Sequence, residues 1–402
     1  MHIKDNIQPL LTGNELKEAL TCLPKYSTEI RNASASERLL ALNDFFNIYI
    51  PSQMTCEIYH KLYMALIRAM NKKNTLDAVR QSYLNRTNSS YQGIIGGSDS
   101  FTIIGVSGIG KSTAISKAIS VITDEDFFVS NNTKIIPFLT IQTPSDSSLK
   151  GLLMEILRKV DIILDTNYYK DAIRSRATVD MLIGSVSQIC LNHISVLILD
   201  ECQNLIEHKN GKNLVNALVQ LINNSGISLC FVGTLECLPF FESAFQLARR
   251  SIGLKYTSLP YNEFFENLCR TAFSFQYTNI STSLTESIVE RLYQLSNGVT
   301  ALVIALIQAA QEIAIIDGYE KLDIHSINEA YQRRFRMLHG HIDASDKTTT
   351  HTLHKSVDIV SAPIQNLTTD SIFVNGIKEI KKNNLDALAY LKQFVTVEEI
   401  SL

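Results

Sequence analysis

No apolar run in this sequence is long enough to cross a bilayer. The longest, residues 301–310 (ALVIALIQAA), falls short of the roughly 20 residues a spanning helix needs, and Gln308 interrupts it. No excess of positive charge is present either: 37 Lys and Arg against 40 Asp and Glu leave a formal net charge of −3. That excludes a monomer drawn to nucleic acid by its overall field, so any contact with DNA must be local or multiplied by assembly. Metal and disulfide spacings are missing as well. The seven cysteines (Cys22, Cys56, Cys190, Cys202, Cys230, Cys237, Cys269) are odd in number, with no C-x-x-C and no histidine at zinc spacing, and are expected as reduced, mostly buried thiols. The start, Met1-His2-Ile3-Lys4-Asp5, reaches a Gln and a Pro before an apolar stretch can form. No signal peptide is therefore expected, and the chain is expected in the cytoplasm without a membrane partner.

What is present is an ordinary globular composition, 45% hydrophobic and 19% charged over 402 residues, enough for two to three domains. Residues 15–80 carry apolar side chains at helical spacing and predict a small helical N-terminal region, taken as 1–90. The stretch 82–100 (SYLNRTNSSYQGIIGGSDS) is rich in Asn, Ser and Gly and reads as a connection. Beyond it, short apolar runs at 101–106, 135–143, 195–200, 227–233 and 254–259 alternate with helical stretches at 111–122, 147–160, 179–191, 213–223 and 262–273. This alternation predicts an α/β domain, 91–275, with a mostly parallel sheet and crossover helices. Helical patterns at 285–296, 300–316 and 324–338, with no strand between them, predict a helical lid, 276–341. The tail, 342–402, is rich in Ser, Thr, Asp and Asn up to about residue 369 and is expected to be mostly flexible, with one short helix.

The run Gly105-Val106-Ser107-Gly108-Ile109-Gly110-Lys111-Ser112 fits G-x-x-x-x-G-K-[ST] in full and stands between an apolar strand and a helical run. Glycines let backbone N–H groups close round phosphate oxygens at the positive end of a helix. Lys111 would neutralise the β- and γ-phosphates, and the Ser112 hydroxyl would ligate Mg²⁺. Thr113 follows within the same phosphate-binding turn. Further on, the strand of residues 194–199 (ISVLIL) ends in Asp200-Glu201, the pattern of a Walker B strand. Asp200 would hold Mg²⁺, and Glu201 would polarise the water that attacks the γ-phosphate. The implied substrate is ATP, with Mg²⁺ as its companion ion.

Two further features leave alternatives open. Thr234 follows the strand 227–233 at the sheet edge where open α/β folds bind ligands, so it is either a sensor of the γ-phosphate or a cap for the next helix. Arg249 and Arg250 form either a solvated helix face or an arginine that reaches a neighbouring subunit's γ-phosphate.

The order of these features, a strand with a phosphate loop, a strand ending Asp-Glu, a strand ending Gly-Thr, paired Arg and a helical lid, resembles the AAA+ ATPases. The run from Leu199 through Asp200, Glu201, Cys202, Gln203 and Asn204 to Leu205, the Phe231-Val232-Gly233-Thr234 strand end, and Tyr83 with Arg86 upstream resemble the TnsC/TniB transposition regulators, relatives of MuB. The likeness spans about residues 80 to 335. It departs at 296–301 (SNGVTA), where many AAA+ proteins carry a sensor arginine and this chain has none, and this implies slow or partner-dependent hydrolysis. The resemblance implies an ATP-dependent homo-oligomer, ring or filament, that encloses double-stranded DNA without sequence preference. It also implies that a TniQ-type target selector loads this assembly and that a transposase triggers its hydrolysis and disassembly. On the same basis Lys150 and Thr166 correspond to residues that track the DNA backbone, with Lys170, Arg174 and Arg176 nearby; as charges and hydroxyls they read equally as solvated surface or caps. The rival reading is a P-loop signalling or defence ATPase of the STAND type that binds protein instead of DNA; about 60 residues after the lid leave no room for a long sensor array.

Overall fold

The computed structural model describes residues 7–73, 100–130, 133–144, 148–205, 217–218, 220–221, 224–238 and 251–336. Tyr83, Arg86, Arg249, Arg250, the tail 342–402 and most of the helix expected at 213–223 lie outside the described residues.

Six strands form one sheet in the order β2-β3-β4-β5-β1-β6: β1 Ser100–Gly105, β2 Phe128–Ser130, β3 Thr133–Gln142, β4 Ile194–Asp200, β5 Ser228–Gly233 and β6 Ser251–Tyr256. All pairings are parallel except β2 with β3. β1 and β5 are buried along their whole length and β4 along all but its last residue, as a strand covered on both faces requires. Their side chains alternate between two cores. Val196 and Ile198 face a layer built from α1 (Gly13–Leu20), α3 (Gln53–Lys73) and α4 (Lys111–Ile122). Leu197 and Leu199 face α5 (Leu149–Leu164) and α7 (Val179–His193). The register Gln142↔Asp200 and Ile104↔Gly233 brings the carboxyl ends of β3, β4, β5 and β1 to one edge.

At the opposite edge two helix C-termini are met by lysines. Lys134 Nζ donates to the Leu164 carbonyl at 3.1 Å, and Lys73 Nζ to those of Cys190, at 2.7 Å, and Leu191. Cations at these positions satisfy carbonyls that the helices leave open.

A third core belongs to the lid: α8 (Glu263–Ser274), α9 (Glu286–Ser296), α10 (Thr300–Ile316) and α11 (Ile324–Ala330), which runs into a π turn at Tyr331–Phe335. Burial in this core accounts for the apolar run 301–310, and among the described residues no single helix is long and apolar enough to cross a membrane. The described N-terminal residues divide between two of these cores. Leu16, Leu20, Ile58 and Leu62 join the sheet-face core, whereas Leu42, Phe45 and Ile48, between them in sequence, join the lid core. A half-buried ion pair fastens this segment: the Arg38 guanidinium, 5% exposed, donates to both Glu320 oxygens at 2.6 and 2.7 Å and to the Tyr277 carbonyl at 3.1 Å. α2 (Ala35–Ala41), which carries Arg38, starts at a capping box in which Ser34 and Glu37 satisfy each other's backbone N–H.

Among the described residues several elements differ from sequence expectation. β6 lies about three residues earlier than expected because its pairing with β1 runs from Ser251 to Tyr256, while Leu259 packs against the lid. β2 and α6 (Tyr168–Arg174) are too short for periodicity to reveal. The helical pattern at 324–338 divides at Ala330, where the α-helix gives way to the π turn.

Candidate active site

The phosphate loop leaves β1 at Gly105 and enters α4 at Lys111. Gly108 and Gly110 hold φ of 80° and 92°, a region a side-chain-bearing residue enters only under strain, so the loop's tight path depends on glycine. Lys111 bends back over the loop, its Nζ donating to the Gly105 and Val106 carbonyls at 2.8 and 3.0 Å. Burial lowers the Lys111 pKa from its ordinary 10.5, and the nearby carboxylates of Asp200 and Glu201 oppose that shift. Ser112, next along α4, donates its hydroxyl to Asp200 Oδ2 at 2.8 Å across 88 residues of sequence. Thus the two residues that the sequence assigns to Mg²⁺ stand side by side. A hydroxyl and a carboxylate at one spot are hard oxygen donors, a set that suits Mg²⁺.

Glu201 turns sharply out of β4. Its φ is 59°, in the left-handed region that costs a non-glycine residue about 1–2 kcal/mol. The turn is held by Thr143 at the end of β3, whose backbone N donates to the Asp200 carbonyl at 2.9 Å and whose hydroxyl donates to the carbonyls of both Asp200 and Glu201. Asp200 Oδ1 accepts the Glu201 N–H at 2.9 Å. The Glu201 carboxylate accepts a hydrogen bond from Gln203 Nε2. On the neighbouring strand end, Thr234 leads a 3₁₀ turn, Leu235–Cys237, without a side-chain capping bond; its hydroxyl donates to Glu236 Oε2 at 3.2 Å. Its backbone N–H donates to Gln203 Oε1 at 3.3 Å.

The lid meets the loop through backbone and small side chains. The Ala301 N–H donates to the Gly108 carbonyl at 3.3 Å, and the Leu259 N–H donates to the Gly298 carbonyl at 3.0 Å. Between loop, lid and N-terminal segment lies a cavity of ≈ 600 Å³. Ile48, Tyr49 and Met54 line it from one side, Ile109, Thr113 and Lys117 from the loop and α4, and Phe264, Leu268 and Ile304 from the lid. Its walls are largely apolar, as a flat aromatic base requires. Ile109 and Thr113 belong to the phosphate-loop run that the sequence singles out, whereas sequence reasoning missed the other wall residues. Those others, from the N-terminal segment, α4 and the lid, carry no motif, and the packing of the N-terminal segment on the lid brings them to the loop.

The residues proposed for DNA are not brought together. Lys150 is exposed at the start of α5, on the edge that carries the phosphate loop, while Thr166 follows the far end of that helix. A 16-residue helix separates them by about 24 Å. The Thr166 hydroxyl donates to Asp161 Oδ1 at 2.6 Å, and the same carboxylate accepts the N–H groups of Tyr168 and Tyr169, which start α6. Lys170, Arg174 and Arg176 are exposed on and after α6.

A parallel sheet in the order β6-β1-β5-β4-β3, with the phosphate loop after β1, the acid pair after β4 and a helical lid over the loop, defines an AAA+ P-loop ATPase fold; β2 is an added antiparallel edge. Residues 96–256 match the family model described as bacterial TniB protein, so the resemblance to the TnsC/TniB ATPases holds over that segment. Comparison with curated proteins finds no match. Among solved structures, the chain is similar to the Aeropyrum pernix ORC2 protein in its ADP form, with 18% identity, a TM-score of 0.42 and coverage of 64% of this chain and 67% of that one. It is also similar to the Aeropyrum pernix ORC1 protein in complex with DNA, with 16% identity, a TM-score of 0.41 and 63% of each chain covered. A third likeness is to Drosophila ORC bound to DNA, with 11% identity, a TM-score of 0.40 and coverage of 86% and 80%. Similarities this distant add nothing to the fold that the strand order establishes.

Proposed function

We propose that this chain is an ATP-driven regulator of DNA transposition: it binds ATP and Mg²⁺, assembles with copies of itself on double-stranded DNA, and links a TniQ-type target selector to a transposase. The observation that carries the ATPase half is the contact of Ser112 with Asp200, which draws the phosphate loop and the acidic strand end into one site beside Lys111 and Glu201. The transposition half is supported by the match of residues 96–256 to the TniB family.

In this reading the loop N–H groups and Lys111 hold the phosphates, and Thr113 with the apolar cavity receives the base and sugar. Ser112 and Asp200 would hold Mg²⁺, which when bound offsets phosphate charge. Glu201 accepts a proton from water as the water oxygen bonds to the γ-phosphorus; the bond from that phosphorus to the β-bridging oxygen breaks, leaving ADP and inorganic phosphate. Thr234 senses the γ-phosphate, and Arg249 or Arg250 reaches a neighbouring subunit's nucleotide. Lys150 contacts phosphates of enclosed DNA, with Thr166 in a supporting position. The N-terminal region, 1–90, and the tail, 342–402, dock partners.

The deciding experiment is binding of the full chain to duplex DNA, with and without a non-hydrolysable ATP analogue, imaged by negative-stain electron microscopy. Analogue-dependent rings or filaments on DNA are expected. Monomers that bind the nucleotide and ignore DNA would overturn the transposition reading in favour of a protein-binding signalling ATPase.

A further inference from the structure

Gln203 stands one turn after the acid pair, and its side-chain amide spans the gap between the ends of β4 and β5. Its Nε2 donates to the Glu201 carboxylate, and its Oε1 accepts the backbone N–H of Thr234 at 3.3 Å. Three surrounding features make this bridge specific. The Glu201 backbone is fixed by Thr143 in a left-handed turn, so the position of the carboxylate is left to side-chain torsions that the Gln203 amide restrains. Asn204, beside Gln203, donates its own amide to the Thr143 carbonyl at 3.1 Å, which anchors the 3₁₀ turn Cys202–Leu205 to the end of β3. Gly233 at the end of β5 leaves space for the bridge: a Cβ there would lie 3.2 Å from Gln203 Oε1 and 2.5 Å from Cys237 Sγ.

We infer that Gln203 is a positioning residue for hydrolysis, which holds the Glu201 carboxylate in place and ties it to Thr234, so that a shift at either strand end is felt at the other. A carboxylate held by one donor keeps its lone pairs aimed; released, it samples rotamers, few of which face the water. The inference rests on the reading of Glu201 as the base. It goes beyond that reading by assigning to a residue outside the phosphate loop and the acid pair the task of setting when the base is in place.

The test uses the full chain and three readouts: steady-state ATP hydrolysis, affinity for a fluorescent ATP analogue, and thermal unfolding. Gln203→Met keeps the side-chain volume and removes both bonds. Gln203→Glu keeps the acceptor for Thr234 and replaces the donor with a second carboxylate. Both are expected to lower kcat by about 10- to 100-fold while KM and analogue affinity change less than about threefold. Combined with Glu201→Gln, Gln203→Met is expected to cost nothing further, since the group it positions is gone. Wild-type kcat in Gln203→Met, or a loss of kcat matched by loss of affinity and unfolding temperature, would overturn the inference. The Glu201→Gln control separates the two levels: if that variant hydrolyses ATP at the wild-type rate, the assignment of the base itself fails; if it is inactive while Gln203→Met is not, only the role of Gln203 fails.

Discussion

The two walls of the nucleotide site are built from different materials. The sheet edge is dense in charge and fixed hydrogen bonds: Lys111 over the loop carbonyls, Ser112 on Asp200, and Glu201 locked by Thr143. Facing it, the lid offers the Ala301 N–H, the Thr300 side chain and apolar groups such as Ile304. The contrast teaches where each task resides. Recognition of phosphate and activation of water need preorganised charge, and that lies on rigid strand ends. The lid closes one side of the cavity proposed for the base, and its residues 296–301 contain no Lys or Arg. Under the proposal, Lys111 is the cation of the sheet-side wall, and Arg249 or Arg250 of a neighbouring subunit would add a second one.

That division can be broken from either side. The largest effect is expected from Glu201→Gln, which should slow hydrolysis by about 10²- to 10⁴-fold while nucleotide affinity is retained, measured by phosphate release beside equilibrium binding. Lys111→Ala should weaken ATP binding by about 100-fold or more, because it removes a charge-assisted donor to the phosphates; a fluorescent analogue reads this directly. On the lid side, Gly298→Ala places a Cβ 2.0 Å from the Leu259 carbonyl at a φ of 71°. It should cost about 1–3 kcal/mol, seen as a fall of a few degrees in Tm, and should raise KM more than it lowers kcat. The smallest effect concerns pH. Hydrogen bonds from Arg38 hold the Glu320 carboxyl below its ordinary value of 4.5, so the contribution of this pair to stability is complete above that value and fades as pH falls through the lowered one. In Glu320→Gln that acid-side loss should be absent from a series of thermal unfolding curves.

Much of the sheet-side wall is legible in the sequence because its parts are contiguous. A strand, a glycine loop and a helix occur in one short run, and two carboxylates end an apolar stretch; each is a local pattern that chemistry constrains. The lid-side wall is not legible in the same way. Tyr49, Phe264 and Thr300 share a cavity only after Leu42, Phe45 and Ile48 are buried among the lid helices, and no local period encodes that long-range choice. Gln203 falls between these cases: it sits inside the motif-bearing run, but its bridge to Thr234 depends on β5 lying beside β4. Thr166 is open to two readings in the sequence, a contact with DNA or a cap. Its hydroxyl donates to Asp161, whose carboxylate also accepts the N–H groups that start the next short helix, an arrangement of the capping kind that no local pattern spells out.

The ion pair of Arg38 with Glu320 joins positions 282 residues apart, and the apolar segment beside Arg38 is sheltered by the same late helices. During synthesis at about 5–20 residues per second, Leu42, Phe45 and Ile48 leave the ribosome roughly 10–45 s before the first of their lid partners exists. Through that interval the start of the chain carries a sticky, unsheltered stretch whose proper berth has yet to be translated. Slow codons within the lid would lengthen the exposure, and a chaperone that recognises short apolar segments would have its best opportunity there, long before the nucleotide pocket has its walls.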